Sequence, residues 1–358
     1  MNIPGQGRGS TQRIAHRFER EAREAFDDGW SSPTDTDPDE EAPNRTEWRW
    51  EDVRSALSYN DSPDIGFDRS LNPYRGCEHG CAYCYARPSH AYLGLSPGLD
   101  FENRLVAKRG LADRLRHELG RTGYQPAPVA LGSVTDAYQP LERQLGITRE
   151  LLTVLWETRH PVVIITKGSG VLRDLDLLAQ LAQEGLAAVY VTVTTLDPVL
   201  CRRLEPRAAA PARRLQMIEA LTQAGVPVGV SVAPQIPFLN DDMEQVLTAA
   251  AKVGAKRAFY TVLRLPWEVA PLMRNWLQTH YPERAERVMA RVQDLHGGRD
   301  YDPRMGNRMW GQGIWADLLR QRFQKACREL GLAGREHVPL ACDRFRPPTA
   351  AGPQLALW

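Results

Sequence analysis

Cys77, Cys81 and Cys84 fall in the run Asn72-Pro73-Tyr74-Arg75-Gly76-Cys77-Glu78-His79-Gly80-Cys81-Ala82-Tyr83-Cys84-Tyr85-Ala86, with the spacing C-x3-C-x2-C. Three thiolates on one short loop suit three irons of a cubic [4Fe-4S] cluster. A fully protein-ligated cluster takes a fourth cysteine, and none follows nearby. The fourth iron is then left to a small molecule, which a reaction needs and a structural staple does not. The same residues allow a second reading, a tetrahedral zinc completed by His79 or His90. Zinc sites more often pair two ligand hairpins, and this chain offers no second one. Cys201, Cys327 and Cys342 are scattered without ligand spacing. That usage reads as one metal site plus free thiols in a reducing compartment.

The loop must be held by something, and the flanking pattern says what. Apolar runs at 128–134, 162–166, 187–194, 226–232 and 257–262 read as buried strands. Helix-period segments lie between them at 147–158, 171–184, 212–224 and 242–253. Gly185, Gly225 and Gly254 close several of these helices just before the next strand, as C-caps do. Near-continuous apolar strands alternating with amphipathic helices predict a parallel sheet covered by helices. With the strand before the cysteine loop, about six βα units result. The expected fold is α/β, a partial (β/α)6 TIM-like barrel with N- and C-terminal extensions. In such barrels chemistry sits at the C-terminal ends of the strands, and the cysteine loop follows the first strand.

The expected division is an N-terminal extension, 1–65, a core barrel, 66–270, and a helical C-terminal extension, 271–358. Gln12–Phe26 has the composition of an amphipathic helix, and Ser31–Asn44 that of a flexible acidic linker. Trp48 and Trp50 are expected to pin the extension to the body. Helices are expected at Pro282–Leu295 and Trp310–Gly331, in a region with about five more basic than acidic side chains. The 358-residue chain has a formal net charge of +1, so no global field selects or forbids nucleic acid. No signal peptide and no membrane span are legible, and the expected location is cytoplasmic.

The cysteine loop, with Tyr83 immediately before its last cysteine, resembles that of the radical S-adenosylmethionine (SAM) superfamily. Together with Gly132-Ser133-Val134-Thr135-Asp136-Ala137-Tyr138-Gln139-Pro140-Leu141-Glu142 and Thr166-Lys167-Gly168 it resembles the spore photoproduct lyase-related branch. The stretch Arg308-Met309-Trp310-Gly311-Gln312-Gly313 is similar to a largely uncharacterised subfamily of that branch. The resemblance implies a [4Fe-4S] cluster on Cys77, Cys81 and Cys84, and SAM on the fourth iron. It also implies reductive cleavage of SAM to a 5′-deoxyadenosyl radical, fed by an electron donor such as flavodoxin or ferredoxin. It further implies cofactor-binding roles for Tyr83, for Ser133, Thr135 and Asp136 near the SAM amino group, and for Lys167 near its carboxylate. Thr192, Thr194, Glu205 and Arg214 would frame the site, and Ser231 and Ala233 would meet the adenine.

One position departs from the branch. Where spore photoproduct lyases carry a hydrogen-donor cysteine, this chain has Ser133. An O–H bond is too strong to quench a carbon radical as a thiol does, so the lyase reaction does not carry over. The substrate stays open, with nucleic acid among the candidates. The competing reading is a non-catalytic nucleic-acid-binding protein with a structural Fe–S or zinc site, motivated by the basic C-terminal region.

Overall fold

A computed structural model describes residues 8–10, 13–19, 45–333 and 339–348. Its strands are β1 (Glu47–Asp52), β2 (Leu57–Tyr59), β3 (Arg69–Leu71), β4 (Tyr74–Arg75), β5 (Arg104–Arg109), β6 (Val129–Leu131), β7 (Val162–Thr166), β8 (Ala187–Thr192), β9 (Val228–Ser231) and β10 (Arg257–Phe259). The main sheet has the order β10-β9-β8-β7-β6-β3-β2. Neighbours from β3 to β10 pair in parallel, and β2 adds an antiparallel edge. Six parallel strands in chain order, joined by helices, make the partial barrel expected from the βα periodicity.

The central strand β8 is buried along its whole length. Val189 and Val191 are fully buried, and each such side chain contributes about 1.5–3 kcal/mol by leaving water. In β7 the alternation has a different cause. Val163 and Ile165 are half-buried because they face a cavity inside the barrel, while Val162 and Ile164 face the helices. Register then aligns the polar strand ends: Thr192 lies beside Ser231, and Thr166 pairs with Val191.

Two runs read as longer strands stop early because side chains capture their backbone. Asn72 Oδ1 accepts the Val134 amide at 2.9 Å, turning the chain out after Leu131. Asn240 Nδ2 donates to the Thr194 carbonyl at 2.9 Å, just past the end of β8. The helix expected at 171–184 begins as a tighter 3-10 turn, Ser169–Asp174, before the α-helix Leu175–Gln183. The helix expected from Trp310 is split into Asn307–Trp310 and Gly313–Leu330, because Gly311 and Gly313 both take positive φ. Pro282–Leu295 is helical as expected.

The N-terminal helix needs correction. Of Gln12–Phe26, residues 13–19 are described and contain no helix. Their polar groups are taken by the body instead. Ile14 exchanges hydrogen bonds with Ser96 Oγ, Arg13 pairs with Asp100, and the Arg17 amide donates to Glu268. Tertiary partners outweigh the small local preference for helix. The acidic stretch Ser31–Asn44 lies outside the described residues. Trp48 packs partly buried against the main core, while Trp50 is more exposed, with Arg109 over its ring. Their strand β1 pairs with β5, and β4 completes this second, three-stranded sheet.

The C-terminal chain covers the open edge beyond β10. Ala258 N donates to the Ala333 carbonyl at 3.0 Å, and Val262 N to the Met309 carbonyl at 3.0 Å. Across the mouth of the barrel, Asp64 accepts from Arg308 Nε and from Gly306 N, each at 2.6 Å. This clasp joins the loop before β3 to the segment before the last helix. No helix among the described residues is long and apolar enough to cross a membrane.

Candidate active site

The cysteine loop occupies the C-terminal side of β3, beside a cavity of about 420 Å³. Cys77, Cys81 and Cys84 all line it. The loop is braced from below rather than by its own turns. Arg87 is fully buried and donates to the carbonyls of Cys81 (3.0 Å), Pro97 (3.2 Å) and Gly98 (2.9 Å). Its charge is met by Glu102, also fully buried. Glu102 in turn accepts the amides of Gly9 (2.9 Å) and Ser10 (2.8 Å). A strap from the extreme N-terminal region thus lies against the cysteine loop. At Gly9 the approach is so close that a Cβ would stand 1.6 Å from the Gly80 carbonyl oxygen. Sequence reasoning missed this strap, since Arg8-Gly9-Ser10 has no local pattern that points to position 102.

Burial pushes the Cys77 thiol well up from its ordinary pKa, and the charges of Asp136, Cys81 and Cys84 push it further. Cys81 is raised by burial too, with Lys167 opposing. Bare thiolates are therefore unfavourable here, and a positively charged metal core is what would stabilise three of them together. The donor set fits an iron–sulfur cluster. Among the described residues, no three His, Cys, Asp or Glu side chains are placed to hold a single metal ion. A cluster takes each sulfur on a different iron, so its sulfurs stand further apart than those around one zinc. The two histidines weighed for zinc have other partners. His90 Nε2 lies 2.9 Å from the Arg104 carbonyl, and His79 Nδ1 lies 3.2 Å from the Asp136 carboxylate.

Beside the loop, the strand ends supply the cavity's polar wall. Tyr83, Ser133, Asp136, Lys167, Thr192, Ser231 and Ala233 line it with the cysteines. Asp136 binds neighbouring loops together, accepting from Thr166 Oγ1 (2.7 Å), Lys167 N (2.7 Å) and Tyr138 N (2.8 Å). Burial would raise its pKa, but His79 and these donors hold it far below the usual carboxylate range. Lys167 Nζ lies 5.9 Å from the centre of the Tyr83 ring. Burial lowers the lysine's pKa, yet the attraction of Cys81 and Glu205 outweighs it, so the ammonium is retained.

Thr135, Thr194, Glu205 and Arg214 sit behind this wall rather than in it. Thr135 Oγ1 donates to the Tyr74 carbonyl at 3.1 Å. Glu205 and Arg214 form a buried ion pair. Tyr83 Oη donates to Glu205, and so does Thr194 Oγ1, at 2.6 Å. Arg214 also donates to the carbonyls of Ala209 (2.7 Å) and Thr192 (3.0 Å). These groups lock Tyr83 against the cysteine loop. Cys201 belongs to the same cluster, 3.6 Å from Glu205 and 3.5 Å from Arg214. Asn240, unread in the sequence, donates to the Pro234 carbonyl at 2.9 Å and accepts the Ile236 amide at 2.6 Å, fixing the segment after β9.

Apolar side chains, Ile65, Phe67, Val262, Met309 and Trp310 among them, also line the cavity, together with Arg264.

A six-stranded parallel half-barrel with a three-cysteine loop at the C-terminal end of its first strand is the architecture of a cluster-dependent radical enzyme. The family model of the radical SAM superfamily matches residues 71–250, and the chain belongs to that superfamily. An uncharacterised protein of Mycobacterium tuberculosis is 34% identical over 278 residues, covering 77% of this chain and 78% of its own. One of Methanocaldococcus jannaschii is 26% identical over 236 residues, covering 66% and 85%. Among solved structures, a spore photoproduct lyase complexed with dinucleoside spore photoproduct superposes with a TM-score of 0.56 at 15% identity, over 81% of this chain and 82% of that one. A mutant of that lyase with bound AdoMet and the same dinucleoside gives 0.55 at 16%, over 81% and 82%. The protein is a radical SAM enzyme with a fold like that of spore photoproduct lyase.

Proposed function

We propose that the chain holds a [4Fe-4S] cluster on Cys77, Cys81 and Cys84 and uses it to cleave SAM beside a substrate in the same cavity. The observation that carries this reading is the meeting of the three cysteines with Lys167, Thr192, Ser231 and Ala233 around one space at the strand ends. When bound, the cluster supplies one electron to the SAM sulfonium, breaking its bond to C5′ and giving methionine and a 5′-deoxyadenosyl radical.

The protein's own residues orient and shield. Lys167 is placed to pair with the SAM carboxylate. Ser133 and Asp136 offer oxygen acceptors to its ammonium, though Asp136 is largely committed to His79 and the β7 loop. Thr192 and Ser231 present hydroxyls at adjacent strand ends, and Ala233 lines the cavity where its own backbone groups would meet the adenine edge. Tyr83 packs between Lys167 and the cysteine loop, held there by Glu205, Thr194 and Arg214. Thr135 supports the loop from beneath. The division into a core barrel, 66–270, and extensions, 1–65 and 271–358, fits this arrangement, with the extensions meeting at the Asp64–Arg308 clasp and keeping water from the radical.

The electron would come from a small external donor such as flavodoxin or ferredoxin, in keeping with a cytoplasmic location. Spore photoproduct lyase, which shares the fold, binds a dinucleoside, and nucleic acid is accordingly the first substrate class to try. The test is anaerobic reconstitution with iron and sulfide, followed by reduction in the presence of SAM. Formation of 5′-deoxyadenosine and methionine is the expected result, abolished in the Cys81→Ala variant. An intact loop that takes up no iron would refute the proposal.

A further inference from the structure

Among the described residues, Arg264 is a charge without a counter-charge. It lines the same cavity as Lys167, and its guanidinium lies 4.6 Å from the centre of the Tyr85 ring. Its one hydrogen bond is from Nη1 to the Met309 sulfur, at 3.0 Å, and a thioether is a weak acceptor. Arg264 Nε is buried with no hydrogen-bond partner among the described residues. The acids that line the cavity are engaged elsewhere. Asp64 is held by Arg308 and Gly306, and Asp136 by His79, Thr166 and Lys167. Buried donors without acceptors are costly, and an arginine fork suits an oxyanion better than any other ligand.

Its surroundings say what carries that anion. Tyr85, Val262, Met309 and Trp310 make the adjoining wall flat and apolar. The Trp310 ring is itself fixed edge-on against Tyr260, with centroids 5.2 Å apart. We propose that Arg264 selects the substrate, and that the substrate carries an oxyanion, phosphate or carboxylate, on a flat ring. The inference rests on the reading above, in which SAM pairs with Lys167 and leaves Arg264 to the substrate.

The test uses pairs of probes that differ only in the anion. Thymidine 5′-monophosphate is compared with thymidine, and indole-3-acetate with indole-3-acetamide, by calorimetry on the full reconstituted chain with and without SAM. At least one anion should bind about tenfold or more tightly than its neutral twin. Which pair discriminates separates phosphate from carboxylate. Arg264→Gln should bring the twins within about twofold, Arg264→Lys should keep part of the preference, and neither should change the affinity for SAM by more than about twofold. The proposal is overturned if the twins bind equally, if none binds up to about 10 mM, or if Arg264→Gln weakens SAM instead. Failure of the wild-type chain to bind SAM would count against the earlier reading alone, because twin discrimination without SAM still tests Arg264.

Discussion

Two parts of the cavity's surroundings are built on different principles. Around the cysteine loop, buried polar groups are paired and cross-braced: Arg87 with Glu102, Arg214 with Glu205, His79 with Asp136. These partners come from separate elements of the fold, so the loop cannot shift without breaking several of them at once. Around Arg264 the walls are apolar, the cation has no ion pair among the described residues, and closure rests on the Asp64–Arg308 clasp. The contrast separates what must be fixed from what is free to vary. A cluster and SAM held beside the cysteine loop would tolerate little displacement, whereas a substrate wall around Arg264 would be set by a few side chains from the clasped segments.

Breaking the braced part should cost most. Glu102→Ala leaves Arg87 buried without its counter-charge and releases the strap at Gly9 and Ser10. A loss of about 3–5 kcal/mol is expected in urea unfolding, with iron uptake impaired. Next comes Glu205, whose pKa is lowered to about 2. Burial alone would raise it, but Arg214 and Lys167 more than offset that. Because the folded-state value lies below the ordinary 4.5, its stabilisation is full above about pH 4.5 and fades as pH falls toward 2. That contribution is on the order of 2–3 kcal/mol. Unfolding measured across this window should show a steep fall in the wild type and a flatter one in Glu205→Gln, which starts less stable.

A change at the clasp should be smaller and local. Asp64→Asn is expected to cost about 1–2 kcal/mol, while hydrogen exchange quickens at 62–67 and 304–310. Equal quickening throughout the barrel would show that the two parts are not mechanically separate. At the bottom of the scale, the exposed Arg116–Glu157 pair serves as a reference. Arg116→Ala should change stability by less than about 1 kcal/mol.

The barrel was legible because strands and helices announce themselves by local periodicity. The cysteine loop was legible because its ligands lie within eight residues of one another. Lys167, Thr192 and Ser231 could be placed because they directly end apolar runs. What lay beyond reading were the partners that meet only through folding. Glu102 looks like any surface glutamate until Arg87 and the Gly9 strap close on it. Asn240 and Arg264 sit in unpatterned loops. Glu205 and Arg214 were read as framing the site, but from sequence their place behind Tyr83, rather than beside the cavity, was invisible. Residues 13–19, within the stretch Gln12–Phe26, show the opposite error: local composition suggested a helix, and tertiary hydrogen bonds to the body hold them otherwise.

The central claim is that the three cysteines carry a cluster with one iron open to SAM. Electron paramagnetic resonance of the anaerobically reconstituted, dithionite-reduced protein tests it most directly, recorded with and without SAM. A reduced [4Fe-4S] signal whose shape changes on adding SAM is the expected result, with the change lost when the cysteine loop is replaced. A signal that SAM leaves untouched, or a chain that takes up zinc and no iron, would contradict the account.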